Sequence, residues 1–179
     1  PSNLLSRATS SAYPSLSLNA QWNAGEGGYY ELWNGRYDAT SGTNYAFVKT
    51  GVPSGKSVVS ATFKVYVQHS YMLGTPTSIY LGRLTSGFSE SQTWNMTHPG
   101  YVALTSDSVA DNQWATFNVT STVRTWSEGT ATNHGFRIYQ SSTSQSLWKR
   151  LRARENGSIA SRENPPHLEV TWTNPVATT

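Results

Sequence analysis

The sequence predicts an all-β protein, a β-sandwich or barrel with one short helix. Three observations lead to this fold class. Several short segments alternate apolar and polar residues with a period of two. Gly, Pro, Asn or Ser lie between nearly all of these segments, as expected for turns. Only one segment has a helical pattern, and many short strands with a single helix are typical of a sandwich or a barrel.

The clearest strand covers residues 60–68, where Ala61, Phe63, Val65 and Val67 face one way and polar residues face the other. Such alternation indicates a strand that is buried on one side. The Pro-Ser-Gly sequence before it, in residues 52–55, favours a turn. Further strands are predicted over 44–49, 79–84, 114–119, 135–140, 147–155 and 167–173.

The single predicted helix follows residues 114–119. Thr120 is a suitable N-cap, and the spacing of Val119, Val123 and Trp126 gives one apolar face. The first 44 residues are less regular, and we expect one or two strands and long loops there. We therefore predict a single domain over 1–179, with a core over 45–173, irregular strands and loops over 1–44, and the start of a linker over 174–179.

The composition narrows the class of function. The 179 residues include no cysteine, which excludes disulfides, thiolate metal sites and cysteine nucleophiles. Only 13% of the residues are charged and 12% are aromatic, a balance that resembles extracellular all-β domains. No apolar run approaches the roughly 18 residues that span a bilayer, and the first residues lack a signal-peptide pattern. We expect no membrane insertion.

Six stretches carry a family resemblance that covers residues 45–173. They are VPSGKSVVSATFKVYV (52–67), LTSGFSESQTWN (84–95), WATFNVTSTVRTW (114–126), NHGFRIY (133–139), WKRLRAREN (148–156) and RENPPHLEVTW (162–172). In this order they resemble the DNRLRE domain family, which also appears as a carbohydrate-binding module family. The stretch over 148–156 is similar to the form found in secreted, wall-associated YD-repeat (RHS) proteins of bacteria. The resemblance implies that the fold is a jelly-roll β-sandwich of two antiparallel sheets with one short helix, in a non-catalytic domain of an extracellular protein.

Two positions depart from that family. An aromatic-Asp pair usually follows its second strand, where this chain has Val48, Lys49 and Thr50, and its Asp before the helix is Asn118 here. The ten acidic residues are scattered and form no calcium-loop pattern. We therefore predict no metal and no cofactor.

Basic residues concentrate in the segment 148–155. If the segment is a strand, Leu151 and Ala153 face the core, while Arg150, Arg152 and Arg154 line the opposite face. Alternate strand residues lie about 6.6–7 Å apart, so the three guanidinium groups would form a ladder. Guanidinium groups bind carboxylates and phosphates with paired donors, which favours an acidic polysaccharide or a teichoic-acid-like polymer as ligand.

A neighbouring strand extends this predicted surface. Arg137 and Tyr139 point the same way as the ladder if residues 141–146 form a hairpin loop between the two strands. In the alternative interpretation, Glu155, Glu163 and Glu169 neutralise the arginines, and the ladder is structural. The residues predicted to bind carbohydrate are Arg137, Tyr139, Lys149, Arg150, Arg152, Arg154, Tyr71 and Trp33.

Aromatic residues outside the strong strand pattern form a second candidate site. Trp22, Trp33, Tyr71 and Tyr101 fall in predicted loops, where functional residues are common. Sugar rings stack on such aromatic faces, although large aromatic side chains also fill cores. We expect at least one of the four to be an exposed platform.

A third candidate is the run Gln68, His69, Ser70 and Tyr71, because a Gln, a His and a Tyr on a jelly roll are the groups that a polysaccharide lyase uses. His69 continues the apolar face of the strand over 60–68, which favours a structural histidine instead. A lyase-like enzyme is therefore a minor alternative.

The function that these patterns predict is a non-catalytic carbohydrate-binding accessory domain of a secreted or cell-wall-associated protein. Its partner would be an acidic polysaccharide, with no nucleic acid bound and no enzymatic activity. The main alternative is a structural spacer or docking domain in a large YD-repeat polypeptide, which could contact other domains of that polypeptide and bind no glycan.

Overall fold

The computed structural model describes residues 6–11, 15–19, 24–25, 31–36, 43–153 and 164–175. Within these residues the chain forms twelve strands, one α-helix and one short 3-10 helix over Gln145–Leu147. The strands are β1 Ser6–Ser11, β2 Ser15–Asn19, β3 Ala24–Gly25, β4 Glu31–Arg36, β5 Thr43–Val48, β6 Ser57–Ser70, β7 Thr77–Leu84, β8 Tyr101–Val109, β9 Gln113–Asn118, β10 Phe136–Tyr139, β11 Lys149–Arg152 and β12 His167–Thr173. The α-helix, α1, is Thr120–Glu128.

The strands form two antiparallel sheets that β4 connects. The first sheet has the order β1-β12-β6-β11-β4, and β9 pairs with the other edge of β6. The second sheet has the order β5-β10-β7-β8, with β2 beside β5 and β3 beside β2. Residues 31–34 of β4 pair with β11, and Gly35 and Arg36 pair with β5. The predicted all-β class, a jelly-roll β-sandwich with one short helix, is confirmed.

The main core lies between the two sheets. The alternation predicted for β6 places Ala61, Phe63, Val65 and Val67 in it, and all four side chains are buried. Phe136 of β10 contacts Phe63 from the other sheet, with ring centroids 4.8 Å apart. The fold therefore follows directly from apolar residues at every second position of facing strands.

Helix α1 closes one side of this core. Val123 and Trp126 are buried as predicted, and the Trp126 ring lies 5.2 Å from that of Phe136. The N-cap was predicted wrongly, because Val119 occupies that position and no side chain caps the helix. The Thr120 hydroxyl instead accepts a hydrogen bond from the Ala61 N–H at 3.0 Å, which ties the helix to β6.

A second, smaller apolar cluster covers part of the outer face of the second sheet. Leu16, Leu18, Phe47 and Leu84 are buried there, and Tyr45 packs against them. On β5, Phe47 and Tyr45 thus point away from the main core, while Ala46 and Val48 point into it. This face is where the candidate site forms.

The predicted hairpin between the two basic strands is wrong. β10 pairs with β5 and β7, so both of its edges are occupied by strands of the second sheet. β11 pairs with β4 and β6 of the first sheet. Because β10 offers no free edge, residues 141–146 cross from one sheet to the other, and the two basic strands lie on different faces of the molecule.

Candidate functional site: an arginine–tyrosine groove

Arg137 and Tyr139 project from the outer face of the second sheet. Phe136 and Ile138 are fully buried on the inner side of β10, so the strand's pleat places the alternate residues outside. The sequence predicted this orientation for both residues. It did not predict their neighbours, which come from strands far away in the chain.

The Arg137 guanidinium lies between tyrosine rings. Its Cζ atom is 3.8 Å from the centroid of Tyr45 on β5 and 4.2 Å from that of Tyr101 on β8. Tyr139 follows at 5.4 Å. Since β5 and β8 lie on opposite sides of β10, the two nearest rings approach the guanidinium from opposite sides. We call Tyr45, Tyr101, Arg137 and Tyr139 the arginine–tyrosine groove.

A glycine allows Tyr101 to reach across the sheet. Gly82 of β7 is the cross-strand partner of Arg137 and lies between β10 and β8. A Cβ atom at this position would lie 2.7 Å from Cδ2 of Tyr101 and 2.9 Å from the carbonyl oxygen of Val102. The missing side chain therefore provides the space in which the Tyr101 ring covers the arginine.

The groove is open and has a polar rim. Its volume is about 280 Å³, and the exposed hydroxyl-bearing residues Ser141, Ser142 and Thr143 line it together with Gln140. This volume is near the lower end of the range for small-molecule sites, about 300 Å³. The groove can therefore hold a unit of the size of one sugar ring.

The charge of Arg137 is not neutralised by an acidic side chain within the described residues. No carboxylate there lies within 4.0 Å of its nitrogens, and its buried Nε has no hydrogen-bond partner. Burial raises the pKa of Tyr139, as do Tyr101 and Tyr80 nearby, against the opposite effect of Arg137. Tyr139 is therefore a neutral hydrogen-bonding group beside a cation at neutral pH.

Arg150 has a different environment on the first sheet. Its Nη1 lies 3.5 Å from Oε1 of Glu31, a side chain that also accepts hydrogen bonds from Gln68 Nε2 and Trp33 Nε1, each at 3.2 Å. Glu31 is only 5% exposed. We call Glu31, Trp33, Gln68 and Arg150 the Glu31 cluster. Of the two interpretations of the ladder, internal pairing applies to Arg150, but its acid is Glu31, which β4 brings onto the neighbouring strand from the irregular N-terminal region.

The other ladder residues have separate environments. Arg152 lies over the ring of Tyr66, 4.9 Å from its centroid. Arg154 lies outside the described residues, as do Glu155 and Glu163. Glu169, which was expected to neutralise the arginines, instead contacts Lys64 at 3.3 Å and His167 at 3.0 Å. Arg137, Arg150 and Arg152 thus form no single binding surface.

Lys149 was predicted wrongly as an exposed ligand-binding residue. It shares the inner face of β11 with Leu151 and is fully buried. Its Nζ donates to Oγ1 of Thr77 and to the carbonyl oxygens of Ser78 and Leu147, at 3.2 and 3.3 Å for the two carbonyls. Burial lowers the pKa of Lys149 to about 8, because a charged amine is costly in an apolar interior.

The predicted aromatic platforms are distributed differently. Trp33 and Tyr101 lie in strands rather than loops, and Tyr101 is 39% exposed. Tyr71 is 41% exposed in the turn after β6 and does not line the groove. Trp22 lies outside the described residues. Tyr45 was not singled out, although the alternation over 44–49 already places it on the same side as Phe47.

His69 is displaced from the inner face of β6. Arg150 pairs with His69 and Leu151 pairs with Val67, so a bulge at this point shifts the alternation by one residue. Ser70 is buried instead, and the His69 ring contacts Trp148, with centroids 5.7 Å apart. Of the groups in the lyase-like interpretation, Gln68 donates to Glu31, His69 packs on Trp148, and Tyr71 lies in the turn after β6.

The described residues form neither a metal-binding cluster nor a membrane-spanning helix. No group of three or more His, Asp or Glu side chains in that part of the chain is arranged to hold a metal ion. None of its helices combines the length and hydropathy of a membrane-spanning segment.

The fold and the groove together define a two-sheet β-sandwich domain with a cationic, aromatic groove on one outer face. A family model described as TGF-beta propeptide matches residues 31–169, which are 139 of the 179 residues. The chain belongs to the TGF-beta propeptide family. The resemblance to the DNRLRE domain family stays a prediction.

Curated relatives come from bacilli. The chain is 35% identical over 176 residues to the tRNA nuclease WapA of Bacillus subtilis (strain 168), and equally to the tRNA3(Ser)-specific nuclease WapA of Bacillus spizizenii. It is covered to 94% but spans only 7% of the length of these relatives. Their names contradict two expectations from the sequence, that the protein is not an enzyme and that it has no nucleic-acid partner.

Among solved structures, the chain is similar to the CBM22-1-GH10 modules of the Clostridium thermocellum endo-1,4-beta-D-xylanase 10B, complexed with xylohexaose. The TM-score is 0.37 at 13% identity, with 97% of this chain and 30% of that chain covered. Neither the fold nor the function of this chain rests on so weak a likeness.

Proposed function

We propose that this chain is a carbohydrate-binding domain that holds an acidic polysaccharide in the arginine–tyrosine groove. One observation carries the proposal. The Arg137 guanidinium lies between Tyr45 and Tyr101, lines an open groove, and has no acidic partner among the described residues. An anionic group of a ligand would supply the missing partner.

The chemistry of the groove suits a sugar polymer. Aromatic rings offer apolar faces to the apolar faces of sugar rings, and guanidinium groups hold anions with charge-assisted hydrogen bonds. The hydroxyl groups on the rim can exchange hydrogen bonds with sugar hydroxyls. Because the groove holds about one sugar unit, we expect weak binding at each site and a large gain when several domains bind one polymer.

We further propose that the domain acts within a much longer extracellular protein that is a nuclease for tRNA. The support is the similarity over 94% of this chain to two nucleases of which it spans only 7%. The low charge content and the resemblance to DNRLRE domains support an extracellular location and a single domain over 1–179. In such a protein the groove would hold the polypeptide at a wall or capsule polymer.

The experiment measures binding of the chain to a polyuronate, to a neutral glucan and to tRNA, at low and at high salt. We expect salt-sensitive binding to the polyuronate. Arg137→Met should weaken it by about tenfold or more, since charge-assisted hydrogen bonds contribute about 1.5–3 kcal/mol. The matched control is Arg7→Met, which removes the same charge from an exposed position on β1.

Three outcomes would contradict the proposal. Equal losses in the two variants would mean that only net charge matters. Tighter binding of tRNA than of the polyuronate would favour a nucleic-acid interface. Absence of binding to all three polymers, together with binding to another segment of the parent protein, would favour the spacer or docking role.

A further inference from the structure

We infer that the arginine–tyrosine groove selects planar carboxylate groups, as carried by uronic acids, over tetrahedral phosphate groups. The inference rests on the proposed function and adds the chemical class of the acidic group. It follows from the position of the two rings around Arg137.

The rings leave the guanidinium accessible only at its edge. Tyr45 and Tyr101 approach from opposite sides, with centroids 3.8 and 4.2 Å from Cζ. Separations this short suit a guanidinium stacked flat on a ring, and on this ground we place the two rings over its two faces. Tyr139 packs against Tyr101, with ring centroids 5.0 Å apart, and lies beside it, 5.4 Å from Cζ. An anion must therefore approach from the groove, in the plane of the guanidinium.

A carboxylate fits this approach well. It is planar, and both of its oxygens can lie in the guanidinium plane and accept two parallel hydrogen bonds. The faces of the flanking rings are electronegative because of their quadrupole. In the coplanar arrangement no oxygen is directed at those faces.

A phosphodiester fits less well in the same groove. If two of its oxygens accept bonds from the guanidinium, the remaining oxygens project above and below that plane, towards the electronegative ring faces. Lys149 could relieve this repulsion only if it were near the surface, and it is fully buried. The groove thus distinguishes carboxylate from phosphate groups by shape as well as by charge.

The rim adds a requirement for neighbouring hydroxyl groups. Gln140 donates its Nε2 to the carbonyl oxygen of Leu147 at 2.9 Å, which fixes the amide at the groove wall. Ser141, Ser142 and Thr143 are exposed beside it. A simple carboxylate would leave these groups unused, so a sugar acid is the class of ligand that uses the whole groove.

The test compares two polyanions of matched charge density, oligogalacturonate and poly(glycerol phosphate), with methyl-esterified oligogalacturonate as the uncharged control. Affinities are measured by calorimetry on the whole chain. We expect the carboxylate polymer to bind at least about tenfold more tightly than the phosphate polymer, the effect of one lost bidentate contact. The methyl ester should bind as weakly as the phosphate polymer.

The Tyr101→Ala variant tests whether the preference for carboxylate depends on the shape of the groove and not only on its charge. This side chain is 39% exposed, so its removal should preserve the fold, which circular dichroism checks. It should also open one side of the groove. The preference for carboxylate should then fall to about threefold or less. If the wild-type chain binds poly(glycerol phosphate) as tightly as oligogalacturonate, the inference fails while acidic-polymer binding stands. If it binds neither, both fail.

Discussion

Two arginines on the two outer faces of the sandwich have contrasting surroundings. Arg150 faces a buried carboxylate on the neighbouring strand, and that carboxylate is also held by Trp33 and Gln68. Arg137 faces tyrosine rings from two strands and has no acid within the described residues. The first arginine completes an internal network, whereas the second presents its charge to a groove.

The two environments differ in whether they neutralise the charge of the guanidinium and occupy its hydrogen-bond donors. A carboxylate neutralises the charge and accepts the donors of a guanidinium. Aromatic faces stabilise the charge and leave the donors at its edge available. The rings around Arg137 therefore leave its capacity to bind an anion intact, and for this reason the candidate site is the groove and not the Glu31 cluster.

The largest change in the free energy of unfolding is expected from Lys149, on the inner side of β11 behind Arg150. Because the pKa of Lys149 is lowered from 10.5 to about 8 in the folded state, the unfolded chain keeps its proton at pH values where the folded chain has lost it. The free energy of unfolding should therefore rise with pH, by about 2.5 kcal/mol between pH 7 and pH 10 from this group. Urea titrations of the wild type and Lys149→Met at several pH values measure it.

Lys149→Met is the reference for that measurement, since its stability has no contribution from this amine at any pH. The difference between wild type and variant should shift in favour of the wild type as the pH rises through about 8. Parallel pH profiles would mean that Lys149 keeps its ordinary pKa in the folded protein.

The next largest effect tests the structural role of the Glu31 cluster. Glu31→Gln removes the charge that Arg150 contacts and should lower the free energy of unfolding by about 2 kcal/mol, because it leaves a half-buried cation without its partner. Binding to the polyuronate should not fall. The matched control is Glu169→Gln, whose side chain is 44% exposed and which should cost less than about 1 kcal/mol. A loss of binding in Glu31→Gln would mean that the ligand binds on the outer face of the first sheet, which contradicts the proposed site.

A smaller effect is expected from closing the space under Tyr101. Gly82→Ala should displace the ring, since the added Cβ would lie 2.7 Å from Cδ2 of Tyr101. We expect polyuronate binding to weaken by about fivefold, which corresponds to about 1 kcal/mol. Because the Cβ also approaches the Val102 carbonyl oxygen, urea unfolding is measured alongside. Unchanged affinity would mean that Tyr101 does not hold Arg137 in its binding orientation.

The smallest change in binding is expected when the same substitution is made at the other arginine, Arg150. Arg150→Met should change polyuronate binding by less than about twofold, because this arginine is already paired with Glu31. Arg137→Met and Arg150→Met remove the same charge, so titrations of the two variants on one polymer compare the two faces. If Arg150→Met weakens binding as much as Arg137→Met, the distinction between the faces is wrong.

Much of the local structure could be predicted from the residues themselves. Alternation identified β6, placed Phe136 and Ile138 inside, and pointed Arg137, Tyr139 and Arg150 outward. It failed at the bulge near His69, where one extra residue reverses the two sides of a strand. It also missed β8, whose residues alternate too weakly to indicate a strand.

Local residue patterns are enough to predict the all-β class, the apolar core positions and the side of each strand on which an arginine lies, because these depend on a pattern repeated every two residues. The tertiary structure alone decided which sheet each strand joins. That choice brought Glu31 to Arg150, and Tyr45 and Tyr101 to Arg137. Strand pairing depends on backbone edges left free by distant segments, and no local pattern records which edges those are.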